Sequence, residues 1–119
     1  QFAFSYPERW DTPAPRLDFR KLGQLTFDAA DTDTFRCLAL AERAGKTGGT
    51  IPCVLNAANE IAVAAFLRGE IRFTQMPEVV AQAMAEEQFL QSITLDDLVQ
   101  SNKSARARAA EIVKRIHNK

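Results

Sequence analysis

The run from Val54 to Leu67 constrains the fold most. Val54, Leu55, Ala58, Ile61, Ala62, Ala65 and Phe66 recur at helical spacing, which predicts one strong helix. Five of its side chains are alanines (Ala57, Ala58, Ala62, Ala64 and Ala65), small enough to let neighbouring helices come close. Such a helix belongs at the centre of a bundle. Thr50 with Pro52 reads as its start, because proline is tolerated in the first helical turn. Gly69 reads as its C-terminal stop.

Other helices fall on either side. Asp31-Thr32-Asp33-Thr34 is a cluster of N-cap residues, so a short helix is expected through Leu38, Ala41 and Glu42. Gly45, Gly48 and Gly49 should end it. A third helix is expected from a Thr74 cap, with Val79, Val80, Ala83 and Met84 on its inner face. Gln88 to Ile93 reads as the loop after it. Thr94 to Asp97 fits the Ser/Thr-x-x-acid start of a last helix. Ser101-Asn102 could interrupt and re-cap that helix before Ala105, Ala109, Ile112, Val113 and Ile116 resume its apolar stripe.

Residues 1–30 differ. Pro7, Pro13 and Pro15 are three of the five prolines, a density that stops helices and favours extended backbone. Leu25 and Phe27 alternate around Thr26, which suits a short strand or an extended arm. Leu17, Phe19 and Leu22 need a surface to lie on: the chain's own helices, further protein, or both. The fold class that results is mainly α, a small helical bundle of about four helices over 31–119, preceded by an extended proline-rich arm over 1–30. The chain opens on Gln1 and then on aromatic residues, which reads as the cut end of a longer protein rather than a natural terminus.

Composition excludes several functions. Net charge is zero, so no global field gathers nucleic acid or anionic lipid. Lys103, Arg106, Arg108, Lys114, Arg115 and Lys119 make the last stretch basic, beside Glu78, Glu86, Glu87, Asp96 and Asp97. No aromatic residue interleaves with those cations, so exposed ion pairs on solvated faces are expected rather than a nucleic-acid surface. No apolar run approaches the ~20 residues of a membrane span. Cys37, Cys53 and one histidine cannot supply the roughly four ligands of a structural zinc site. Both cysteines sit at apolar-patterned positions and are expected to be buried free thiols, which suits a reducing cytoplasm.

Little catalytic chemistry is legible. The glycines of Gly45 to Thr50 lack the spacing of a phosphate loop and read as a helix connection. His117 lies near the chain's end without an orienting partner and reads as an exposed histidine on a frayed terminus. Asn56, Asn59 and Glu60 share one side of the strong helix at i, i+3 and i+4. They could face a ligand; the stronger reading is a structural or interface cluster whose amides bond neighbouring protein.

Specific segments resemble the C-terminal part of the 1-deoxy-D-xylulose 5-phosphate reductoisomerases. They are Tyr6-Pro7-Glu8-Arg9, Leu17-Asp18-Phe19, Lys21-Leu22, Leu25-Thr26-Phe27, Cys37-Leu38, Leu40-Ala41, Gly49-Thr50 and, above all, the run from Val54 through Asn56-Ala57-Ala58-Asn59-Glu60 to Leu67. Ile71 to Thr74 and Ala105-Arg106 extend the likeness. The resemblance implies a parent enzyme that uses NADPH and Mg²⁺ or Mn²⁺. It isomerises and reduces 1-deoxy-D-xylulose 5-phosphate to 2-C-methyl-D-erythritol 4-phosphate, in non-mevalonate isoprenoid synthesis. It also implies an N-terminal cofactor domain, a central catalytic domain, a closing helical domain and a homodimer. The family's catalytic, metal and phosphate residues fall upstream of Gln1, so none is assigned to this chain. Residues 1–30 would be the end of the catalytic domain. Trp10 and Asn102 depart from the family pattern, which more often has an aliphatic residue and an aspartate there. The alternative is a free-standing helical interaction module.

Overall fold

The computed structural model describes residues 1–91 and 93–118. Ser92, in the expected loop, and Lys119, among the expected basic residues, lie outside them. The chain divides into two units, Gln1–Ala30 and Asp31–Lys119.

The first unit carries two short helical turns, α1 (Phe2–Ser5) and α2 (Phe19–Leu22). The Asp18 carboxylate accepts from the Arg20 N–H and starts α2; Gly23, with φ at +69°, closes it. No strand forms at Leu25–Phe27 or elsewhere among the described residues. Phe4, Tyr6, Trp10, Leu17, Phe19, Leu25 and Phe27 are all exposed. Thirty residues with three prolines make too few backbone bonds to enclose a core.

The second unit is a four-helix bundle: α3 (Arg36–Thr47), α4 (Ile51–Leu67), α5 (Met76–Ala85) and α6 (Leu95–His117), with a 3₁₀ turn at Phe73–Gln75. Helix α4 is central and touches α3, α5 and α6. Val54, Ala57, Ala58, Ala62 and Ala65 on it are buried with Val79, Val80, Ala83, Ala105, Ala109 and Ile112. Cys53 meets Leu98, Glu60 meets Arg106, and Glu70 meets His117, so α4 and the last helix run in the same direction.

The local stops are clear. Gly69 (φ +75°) ends α4 in a Schellman motif: its N–H donates to the Phe66 carbonyl and the Glu70 N–H to the Ala65 carbonyl. Thr94 and Asp97 form a reciprocal capping box at α6, with Asp97 N–H to Thr94 Oγ1 at 3.2 Å and Thr94 N–H to Asp97 Oδ2 at 2.8 Å.

Several expectations are corrected. Gly45 does not end α3; the helix runs on to Thr47 and stops at Gly48. One interior glycine costs about 1 kcal/mol, and burial of Leu40 and Ala44 on the same helix outweighs it. The Asp31 cluster does not cap α3. Asp31 Oδ1 instead accepts from the N–H groups of Asp33 and Thr34, a turn completed before the helix starts. Thr74 lies inside the 3₁₀ turn, and α5 begins at Met76 without a side-chain cap. Ser101 and Asn102 do not break α6: Ser101 is buried in the bundle, and Asn102 Oδ1 accepts from Arg106 Nε one turn on. Tertiary burial there overrides a cap-type residue pair. The C-terminal helix is not frayed at His117, which is still helical.

The thiols are both free, but they are not buried as expected. Cys37 is exposed, because the packed residues of α3 begin one turn later at Leu40. Cys53 is half-buried and its thiol reaches the Leu98 carbonyl at 3.5 Å.

Candidate functional site

The polar interruption of α4 lies where that helix meets α6. Helical spacing puts Asn56 and Glu60 one turn apart, and Asn56 Nδ2 donates to Glu60 Oε1 at 2.9 Å. Arg106 Nη2 from α6 pairs with the other Glu60 oxygen. Arg106 Nε also donates to Asn102 Oδ1 at 3.0 Å. The result is a chain of contacts, Asn56–Glu60–Arg106–Asn102, that ties two parallel helices in one register. Asn59 is half-buried on the same side of α4 and takes no part in this network among the described residues. The i, i+4 pair of Asn56 and Glu60 was visible in the sequence. Arg106 was not, because 46 residues separate it from Glu60.

The electrostatics are those of a clasp. The Arg106 guanidinium holds the Glu60 carboxyl below its ordinary range, helped by the Asn56 amide. A carboxylate so committed is a poor general base. Glu70 is lowered in the same way by a bidentate bond from Arg68, at 2.7 and 2.8 Å, and Arg68 is raised by it. Asp97 is lowered by the Thr94 N–H and hydroxyl, and Asp31 by Thr34.

The sign of the pH dependence follows. A carboxyl whose folded pKa lies below its unfolded value stabilises the fold above the unfolded pKa. That stabilisation is lost as pH falls through the folded pKa. Stability should therefore be full above the ordinary carboxylate range and decline below it. Glu60→Gln should flatten part of that acid limb in urea titrations followed by circular dichroism. An unchanged limb would remove Glu60 from the account.

A cleft of about 370 Å³ opens at the C-terminal ends of α4 and α6. Ile61, Ala64 and Val113 line it, with Arg68, Lys114 and His117. His117 is exposed, as the sequence suggested, but it has a partner: Nδ1 lies 2.9 Å from the Glu70 carbonyl and acts as the donor. Arg68 is committed to Glu70, and the Nδ1–H of His117 to the Glu70 carbonyl.

Among the described residues, no three His, Cys, Asp or Glu side chains gather where an ion could sit. The glycine turn before α4 is filled rather than open. A Cβ built on Gly49 would lie 2.1 Å from the Leu90 carbonyl oxygen.

Comparison with known proteins identifies a family. The model of the DXP reductoisomerase C-terminal domain matches residues 1–108. The 1-deoxy-D-xylulose 5-phosphate reductoisomerase of Desulforamulus reducens is 47% identical over 114 residues, 96% of this chain and 30% of that protein. The Bacillus subtilis enzyme of that name is 46% identical over 107 residues, 89% of this chain and 28% of that protein. Among solved structures, the reductoisomerase of Zymomonas mobilis in complex with NADPH superposes with a TM-score of 0.86 at 39% identity. The match covers 95% of this chain and 30% of that one. A DOX-P reductoisomerase with fosmidomycin and magnesium gives 0.80 at 34% identity, over 98% of this chain and 31% of that one. The chain thus spans about 30% of the length of the relatives it matches.

Proposed function

The chain belongs to the family of DXP reductoisomerase C-terminal domains, and from that membership we propose that it is the non-catalytic C-terminal portion of a 1-deoxy-D-xylulose 5-phosphate reductoisomerase. The match over residues 1–108 carries this reading. In it, the whole protein uses NADPH and Mg²⁺ or Mn²⁺ to make 2-C-methyl-D-erythritol 4-phosphate in non-mevalonate isoprenoid synthesis, as a homodimer in the cytoplasm. The two unpaired thiols suit that compartment. The described residues include no helix long and apolar enough to cross a membrane.

The role proposed for residues 31–119 is to brace the catalytic portion, with residues 1–30 as the end of that portion. A bundle with one central apolar helix and an interhelical clasp suits bracing. Asn56, Asn59 and Glu60 serve structure in this reading: Asn56 and Glu60 fix α4 against α6, and all three edge the surface the bundle presents. Nothing in the comparisons supports a free-standing interaction module.

The test uses NADPH oxidation at 340 nm with substrate and Mg²⁺. The 119-residue chain alone should show no turnover. The full-length protein should turn over, and should lose activity when residues 31–119 are removed. Turnover by the chain alone would overturn the assignment of chemistry to the preceding part. Full activity after the deletion would overturn bracing.

A further inference from the structure

Helix α4 is apolar on more sides than the bundle covers. Its inner stripe, from Val54 to Ala65, is buried. Its C-terminal half also presents Val63, Phe66 and Leu67, at i, i+3 and i+4, which are 37%, 36% and 75% exposed. Phe73 of the 3₁₀ turn adds a fourth side chain, 64% exposed. Its ring meets that of Phe66 edge-on, with centroids 5.8 Å apart and planes at 71°. The pair orders the turn against the helix, so the patch is formed in advance. Other exposed apolar residues of the bundle come in pairs, Phe35 with Leu38 and Leu95 with Val99, rather than as a set of four. A helical segment that is apolar all round, as residues 61–67 are, is normally covered all round. Contiguous exposed apolar patches mark contact surfaces.

We propose that this face of α4 (Val63, Phe66 and Leu67, with Phe73) is where the bundle docks on the part of the polypeptide that precedes residue 1 in the longer protein. The inference rests on the reading given under Proposed function and adds the surface. Length supports the occupant: about 70% of the relatives' chain lies outside the matched stretch. Size supports it too. A stable interface between separate molecules needs about 800 Å² and 20–30 residues per side. Four side chains fall well short of that. They suffice for a tethered contact, where the covalent link supplies an effective concentration in the millimolar range. The polar residues Asn56, Asn59 and Glu60 lie further along the same side of α4 and form one edge of the patch.

Thiol labelling tests this in the full-length protein, carrying Cys37→Ser and Cys53→Ala. One variant adds Leu67→Cys; another adds Lys103→Cys, at an exposed position on α6. Both sites are exposed in this chain, so neither change should disturb folding. Maleimide labelling is read peptide by peptide by mass spectrometry. The L67C thiol should react about tenfold or more slowly than the K103C thiol in the full-length protein, because docking must open first. In the 119-residue chain the two rates should be similar. Equal rates in the full-length protein would overturn the proposal. Slowing of L67C in the short chain that grows with protein concentration would point to a second copy and also overturn it. Removal of residues 31–119 separates the two readings. A freely labelled L67C in an enzyme that needs those residues overturns the docking face alone. A protected L67C in an enzyme that does not need them overturns bracing alone.

Discussion

Gly49→Ala should destabilise the helical bundle by about 2–5 kcal/mol, from a left-handed backbone forced on an L-residue plus a steric clash. The first part follows from φ at +56°. The second follows from a Cβ that would stand 2.1 Å from the Leu90 carbonyl oxygen and 2.8 Å from Phe89 Cε2. The nearest atom is backbone, so it cannot swing away. Thr50, fully buried, holds Leu90 in place from the next position. Its N–H donates to the Leu90 carbonyl at 3.1 Å, and its Oγ1 accepts from the Leu90 N–H at 3.3 Å. Making room for a methyl therefore means breaking the stitch between the α3–α4 corner and the loop after α5. Gly69 is the control. Its φ is +75° but nothing lies within 4 Å of a Cβ built there. Gly69→Ala should cost only about 1 kcal/mol. In thermal melts the Gly49 variant should fall by roughly 4–30 °C beyond the Gly69 variant, at about 4–8 °C per kcal/mol for a domain this size. Equal melting temperatures would show that the loop yields freely and that the stitch contributes little.

That corner also shows what a sequence can and cannot disclose. Thr50 read as the start of α4, and α4 does start beside it. Its hydroxyl, however, serves Leu90, 40 residues away, and makes no cap bond to α4. Signals confined to one turn were legible, because both partners lie within a few residues. The Thr94–Asp97 box and the Gly69 stop are of that kind. So was the centrality of α4, because small side chains in an apolar helix have few other uses. Signals that compete with tertiary burial were not legible. Ser101 and Asn102 have the chemistry of a helix start, yet α4 lies against that stretch of α6, and burying Ser101 keeps the helix continuous. The site was half legible for the same reason. Asn56 and Glu60 announce each other at i, i+4, while the Arg106 that fixes them comes from a helix whose placement no local pattern specifies.

The basic helix is where burial changes the expected energetics most. Composition alone predicted exposed pairs between α6 and the acids before it. Arg115 and Glu86 are such a pair, 3.5 Å apart with both side chains about half exposed. Arg108 differs. Its Nη1 lies 2.9 Å from Glu87 Oε2, and the Glu87 side chain is only 4% exposed, against 22% for Arg108. Nε of the same guanidinium lies 3.7 Å from Glu86. Removing a cation from a solvated pair leaves a carboxylate that water can serve. Removing it from Glu87 leaves one that water reaches poorly. Arg108→Ala should therefore cost about 2–3 kcal/mol, near the lower end for breaking a buried pair because the guanidinium is partly wet. Arg115→Ala should cost about 0.5 kcal/mol or less. Adding Glu87→Gln to Arg108→Ala should restore much of the loss, since a neutral amide in the same space needs no counterion. Urea denaturation of the three variants measures all of this. Similar costs for Arg108→Ala and Arg115→Ala would mean that Glu87 finds solvent once its partner is gone. A double variant no better than Arg108→Ala would mean that the lost stability was the packing of the arginine stem rather than its charge.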